Sequence, residues 1–92
     1  MPPLSSVEIT SRLSGLASWK VESGELTRTY EFKDFRASLG FVNKVGEAAE
    51  KANHHPDIDI RYNRVRLGLV THDAGGITAK DFDLAAAADK LV

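Results

Sequence analysis

Four runs of the chain alternate apolar and polar residues with the period of two that is typical of half-buried strands. The first two runs, residues 17–22 and 26–32, are separated by Ser23-Gly24, a dipeptide suited to a two-residue hairpin turn. If Glu22 and Glu25 flank this turn, one face of the hairpin is mostly apolar. The expected cross-strand pairs on that face are Val21 with Leu26, Trp19 with Arg28, and Ala17 with Tyr30.

The other two runs, residues 57–62 and 65–72, predict a second hairpin. Its turn is expected at Asn63-Arg64, because asparagine tolerates the positive φ that a two-residue turn requires. The expected pairs are Tyr62 with Val65, Ile60 with Leu67, and Ile58 with Leu69. The same register places His55 opposite His72 on the polar face, although Pro56 cannot donate a hydrogen bond to the ladder.

Two capping boxes mark the starts of the first and last helices. Ser5 and Glu8 precede a short helix that ends near residue 13, and Thr78 and Asp81 open a helix that runs toward the end of the chain. In each box the hydroxyl caps the helix and the acidic residue reaches back to the capping residue.

A longer helix over about residues 35–52 is predicted between the hairpins, with Asp34 as its N-cap. Its buried stripe is expected to consist of the apolar residues at helical spacing, which are Phe35, Leu39, Val42, Val45, Ala49 and Ala52.

The predicted element order is α-β-β-α-β-β-α, which favours the α+β class. Two hairpins would form one four-stranded antiparallel sheet, with the helices packed on one face. At 92 residues, the chain is expected to form a single domain over residues 1–92.

Composition excludes several classes of function. A net charge of −1 gives no general attraction to nucleic acid or to anionic membranes. The absence of cysteine excludes a disulfide scaffold, a thiol nucleophile and a thiolate zinc site. We see neither a signal peptide nor an apolar run long enough to span a bilayer, so we expect no membrane association and a cytoplasmic location.

All three histidines of the chain lie in one part of it, at positions 54, 55 and 72. Histidine exchanges protons near neutral pH, so a pocket that gathers them could pair a general acid with a general base. The simplest alternative is that they are ordinary surface histidines. Metal binding is another, with Asp57, Asp59 or Asp73 as a further ligand, but His54 and His55 are adjacent and would point to opposite faces of a strand. We therefore expect no metal.

Two carboxylates accompany the histidines. Glu50 lies one helical turn before His54 and could hold an imidazole in one tautomer, or it could be a solvated charge at the helix end. Asp81 could support catalysis, cap the last helix, or do both.

The spacing of these residues resembles that of the pterin-4a-carbinolamine dehydratases. The positions that match the family pattern are Glu50, His54-His55-Pro56, Tyr62, His72 and Asp81. The similarity extends through Phe32-Lys33-Asp34-Phe35 and covers almost the whole chain from Trp19 to Leu91.

The resemblance implies a hydro-lyase that removes water from 4a-hydroxytetrahydropterin, the product released by aromatic amino acid hydroxylases in tetrahydrobiopterin recycling. The product is a quinonoid dihydropterin, and no metal or organic cofactor is required. The family fold is an α+β sandwich with a four-stranded antiparallel sheet, and members form homodimers or homotetramers.

The resemblance also assigns roles to residues. His54 and His72 would be the acid and base, in an order that the sequence leaves open, and His55 would bind and orient the ring. Glu50 and Asp81 would support the histidines. The pterin would be lined by His54, His55 and His72 together with Asn53, Val70, Thr71 and Asp73.

The chain departs from many relatives at three positions, with Asn53 for aspartate, Ile58 for tryptophan and Lys80 for arginine. None of these changes removes a histidine. An alternative function is a non-catalytic interaction module on the same fold, because some relatives act as dimerisation cofactors of a transcription factor or as assembly factors. Such a role would predict a large exposed apolar patch outside the self-association surface.

Overall fold

In the computed structural model, which describes residues 2–92, two β-hairpins join through their inner strands into one antiparallel sheet. The elements in chain order are α1 (Ser6–Leu13), β1 (Lys20–Glu22), β2 (Glu25–Glu31), α2 (Phe35–Ala52), β3 (Asp57–Arg61), β4 (Arg64–Leu69), a short 3-10 helix (His72–Ala74) and α3 (Ala79–Asp89). The strand order is β1-β2-β4-β3, so β2 and β4 lie in the middle. The predicted fold class and element order are confirmed.

The helix starts follow from local hydrogen bonds. Glu8 N donates to Ser5 Oγ at 3.2 Å, and Ser5 N donates to Glu8 Oε1 at 2.9 Å, which completes the first capping box. Asp34 Oδ1 accepts from Ala37 N at 2.8 Å at the start of α2. These bonds satisfy backbone donors that have no partner within a helix, and α2 has the bounds that the sequence predicted.

The first hairpin keeps its predicted turn but is shorter than predicted. Ser23 and Gly24 have φ values of 51° and 78°, as a primed turn requires. Val21 pairs with Leu26 as expected, but β1 has only three residues. The predicted pairs of Ala17 and Trp19 do not form, because the chain leaves the ladder before Lys20.

Trp19 instead turns inward to a cluster around Asp89, at the end of α3. The carboxylate of Asp89 accepts from Trp19 Nε1 at 3.1 Å, from Arg28 Nη1 at 2.7 Å and from the hydroxyl of Tyr30. The guanidinium of Arg28 lies 4.2 Å from the centroid of the Tyr30 ring, not over Trp19. Burial and the bond to Asp89 raise the pKa of the Tyr30 phenol far above its usual value, so it stays a donor.

The second hairpin differs from the prediction by two residues in register. Its turn is Tyr62-Asn63, and Arg61 pairs with Arg64. The observed pairs are Ile60 with Val65, Ile58 with Leu67, and Asp57 with Gly68. A shift of two residues leaves every side chain on its expected face. The ladder ends at Asp57, however, so His55 does not pair with His72 across the strands.

The core lies between the sheet and the helices. Val45 and Ala49 of α2 are buried as predicted, but Phe35 and Leu39 are 46% and 40% exposed, and Ala52 is exposed too. Phe41 and Ser38 take the buried positions instead. The buried hydrophobic residues are Trp19, Leu26, Tyr30, Phe41, Val45, Ala49, Val65, Leu67, Leu69, Ile77, Phe82, Leu84, Ala85 and Ala88. Within residues 2–92, no helix has the length and hydrophobicity needed to cross a bilayer.

We expect Asp89→Ala to lower the free energy of unfolding by about 2 kcal/mol, because three part-buried donors lose their shared acceptor. Urea unfolding followed by the fluorescence of Trp19, the one tryptophan of the chain, measures this change. Asp83→Ala, an exposed aspartate on the same helix, is the matched control and should leave the urea midpoint almost unchanged. Equal effects of the two variants would contradict a stabilising role for the cluster.

Candidate functional site

The three histidines surround one cavity of about 290 Å³, where α2 and β4 end and α3 begins. The residues that line it are Asn53, His54, His55, Val70, Thr71, His72, Asp73 and Lys80. All seven residues named from the sequence as substrate-binding are among them. Lys80 is the further member, and its position in the first turn of α3, beside Asp81, was the signal for it in the sequence.

The end of α2 determines where the first two histidines point. Asn53 caps the helix in the left-handed conformation, with φ 50° and ψ 42°. His54 N then donates to Ala49 O at 3.1 Å, which closes the helix and reverses the chain. As a result the side chain of His54 is only 11% exposed, whereas that of His55 is 58% exposed.

A fully buried carboxylate, Asp81, holds His54. Asp81 Oδ1 lies 2.5 Å from His54 Nε2, while Oδ2 accepts from Thr71 Oγ1 at 2.9 Å and from Thr78 N at 2.8 Å. The hydroxyls of Thr71 and Thr78 are 2.7 Å apart. Because an ionised carboxylate only accepts hydrogen bonds, His54 carries its proton on Nε2, and Nδ1 remains for other partners. Asp81 therefore caps α3 and orients His54 at the same time.

His72 is presented by a tight loop after β4. Thr71 and Gly76 form an isolated bridge, in which Thr71 N donates to Gly76 O at 3.1 Å. Gly75 has a φ of 76°, which suits glycine, and its N–H donates to His72 O at 3.0 Å. The loop leaves the side chain of His72 exposed at the start of the 3-10 helix.

Glu50 contacts His55 and not His54. Its Oε2 lies 2.5 Å from His55 Nε2, and both side chains are more than half exposed. The two carboxylates named from the sequence thus hold two different histidines. Solvent screens the pair at the surface, whereas the pair between His54 and Asp81 is shielded from water.

One carboxyl pair near the site was missed in the sequence. The carboxylate of Glu25 lies across Gly68, where an added Cβ would come within 2.8 Å of Oε1. Gly68 pairs with Asp57, and burial, followed by a hydrogen bond and repulsion from Asp57, raises the pKa of Glu25. The charges of Arg66 and His72 act in the opposite direction. A glycine inside the alternating strand was the available signal that another group lies over it.

The structure offers no support for metal binding in the part of the chain that it describes. Residues 2–92 contain no group of three or more histidine, aspartate or glutamate side chains arranged to hold an ion.

Comparison with known proteins identifies the family. The family model for pterin 4 alpha carbinolamine dehydratase matches residues 2–91. The chain belongs to this family. One relative is a protein of Acidobacterium capsulatum that is named provisionally as a pterin-4-alpha-carbinolamine dehydratase. It is 60% identical to this chain over 92 residues, and the match covers the full length of both proteins.

Two solved structures share the fold of this pterin carbinolamine dehydratase family member. A transcriptional coactivator/pterin dehydratase from Brucella melitensis superposes with a TM-score of 0.93 at 33% identity, covering 97% of each chain. A pterin dehydratase-like protein identified as a RuBisCO assembly factor in the alpha-carboxysome superposes with a TM-score of 0.65 at 19% identity. That match covers 79% of this chain and 84% of the other, and its low identity supports the fold alone.

We expect Asp81→Asn to lower the free energy of unfolding by about 2–3 kcal/mol. The new amide group replaces one of the two acceptor oxygens with a donor nitrogen, so at least one buried donor loses its acceptor. Glu50→Gln makes the same chemical change in the exposed pair and should stay within about 0.5 kcal/mol of wild type. Urea unfolding of both variants checks the contrast. If Asp81→Asn is as stable as wild type, Asp81 does not organise the site.

Proposed function

We propose that this protein dehydrates 4a-hydroxytetrahydropterin to quinonoid dihydropterin, as a hydro-lyase in tetrahydrobiopterin recycling. The observation that carries the proposal is the convergence of all three histidines on one cavity, with His54 held by the buried Asp81. Membership of the family supports the same reaction. An aromatic amino acid hydroxylase would supply the substrate, and we expect both enzymes to work in the cytoplasm.

The proposed chemistry consists of two proton transfers. A base removes the proton from ring N5, an acid protonates the hydroxyl group on C4a, the C4a–O bond breaks, and water leaves as the N5–C4a double bond forms. Imidazole is suited to both transfers near neutral pH. We assign them to His54 and His72, since both line the cavity, the first fixed by Asp81 and the second exposed to solvent.

The remaining polar groups of the cavity suit a pterin ring. Its amide and amino groups need directional partners, and Asn53, Thr71 and Asp73 offer side-chain and backbone groups of both kinds. We propose that His55, supported by Glu50, orients the ring from the open side. Ile58 is not among the cavity-lining residues, so the replacement of a tryptophan there leaves this set unchanged.

We expect wild type to accelerate dehydration of enzymatically generated 4a-hydroxytetrahydropterin, and His54→Ala and His72→Ala each to lose about 10²–10⁴-fold in rate. Ultraviolet absorbance of the product follows the reaction. Arg61→Ala, at an exposed position on the far end of β3, should keep the wild-type rate. A pure, folded wild type without activity would refute the dehydratase proposal.

An exposed apolar patch on α2 favours a second property, association with another chain. Phe35 and Leu39 lie on successive turns of the helix and are each almost half exposed, and the half-buried Val42 continues the same side. We propose that the patch joins copies into a homodimer or homotetramer, whereas a non-catalytic interaction module would need an apolar patch outside this self-association surface.

We expect Leu39→Asp to reduce the molar mass measured by light scattering after size-exclusion chromatography, because a buried charge disfavours an apolar interface. Glu47→Asp, an exposed position on the same helix, is the control for the helix itself. A wild type of monomer mass would contradict self-association. A monomer without dehydratase activity would favour the interaction module.

A further inference from the structure

A second cavity adjoins the first at His54 and Lys80. It has a volume of about 250 Å³ and occupies the space between the last turns of α2 and the body of α3. Its apolar wall consists of four side chains, Ala48, Ala52, Leu84 and Ala87. His54 and Lys80 line both cavities, so the two spaces meet at the residue that the proposed reaction uses.

The two cavities differ in chemistry. The first is bordered by imidazole, amide, hydroxyl and carboxyl groups. The second is bordered mostly by carbon, and three of its four apolar residues are alanines, whose small side chains leave the space open. Polar groups occur at its edge, where Lys80 and Asp83 are exposed. A ligand group that fits here has a short carbon chain and polar atoms that reach the edge.

The connectivity of the pterin ring places such a group nearby. In the proposed reaction the bonds change at N5 and C4a, and C6 is bonded directly to N5. The first carbon of a substituent on C6 therefore lies two bonds from N5, an atom that exchanges a proton with a histidine. If His54 faces N5 from the first cavity, the C6 substituent lies beside the His54 ring, next to the second cavity.

We infer that the second cavity binds the C6 substituent of the pterin, a short hydroxyalkyl chain, and thereby sets the substrate preference of the enzyme; the inference rests on the proposed dehydratase function. The carbon atoms of the chain pack against the alanines and Leu84. Its hydroxyl groups accept from the ammonium of Lys80 and donate to the carboxylate of Asp83. A chain of five heavy atoms occupies about 150 Å³ at the volume per atom of liquid water, which the cavity accommodates.

Filling the cavity tests this assignment. Ala87→Leu places a larger side chain on its wall, and leucine is a good helix former, so α3 should be preserved. Ala86→Leu is the matched control, the same change one residue earlier at a position that does not line the cavity. The substrates are the 4a-hydroxy derivatives of 6-methyltetrahydropterin and of tetrahydrobiopterin, which carries a dihydroxypropyl group at C6.

We expect Ala87→Leu to lower kcat/KM for the dihydroxypropyl substrate by about 10-fold relative to the 6-methyl substrate, chiefly through KM. Ala86→Leu should keep the wild-type ratio. Fluorescence titration with the oxidised pterins gives a second readout that needs no turnover: Ala87→Leu should weaken binding of biopterin but not of 6-methylpterin.

The outcomes separate the inference from the function on which it rests. A wild type that dehydrates neither substrate refutes the proposed function. An active wild type with the same substrate ratio in Ala87→Leu refutes the assignment of the cavity and leaves the function in place. A lower oligomeric mass in Ala87→Leu also refutes it, because the cavity would then belong to an interface between chains.

Discussion

One buried carboxylate joins the three segments that form the histidine cavity. Asp81 has no exposed surface, and an ionised carboxylate in such a position costs several kcal/mol unless it is fully hydrogen-bonded. Its donors come from the end of α2, from the loop after β4 and from the cap of α3, through His54, Thr71 and Thr78. The bonds that allow the charge to be buried are the same bonds that start α3 and orient His54. The stability of this region and the geometry of the site therefore cannot be varied separately.

The sequence predicted the parts of the fold that local hydrogen bonds determine. The capping boxes and the Asp34 cap involve residues three apart, so their signals are complete within a few positions. The predicted register of the second hairpin was wrong by two residues, because an alternating pattern is the same after a shift of two. The turn was also misplaced, because a bulky residue, Tyr62, adopts the positive φ that the turn requires. The first strand was too long because Trp19 bonds to Asp89, 70 positions away, which no local pattern indicates.

The site shows the same division between local and distant causes. The sequence identified the three histidines and both carboxylates, but it did not show which carboxylate contacts which histidine. Glu50 and His54 are four apart, which would make them neighbours on a continuous helix. The helix ends between them, because Asn53 turns left-handed, so His54 swings toward Asp81 and His55 comes to Glu50. The pairing depends on one backbone conformation that an asparagine permits without requiring it.

Helix α2 shows why an apolar stripe does not by itself identify the core. The residues that contact the sheet, Phe41, Val45 and Ala49, follow helical spacing, but so do Phe35, Leu39 and Val42 on the neighbouring side. A surface covered by the protein's own sheet and one covered by a second chain have the same composition and the same period. The helix therefore carries two apolar faces that merge into one broad stripe in the sequence. Only the position of the sheet separates them, and it leaves Phe35 and Leu39 of the second face partly exposed.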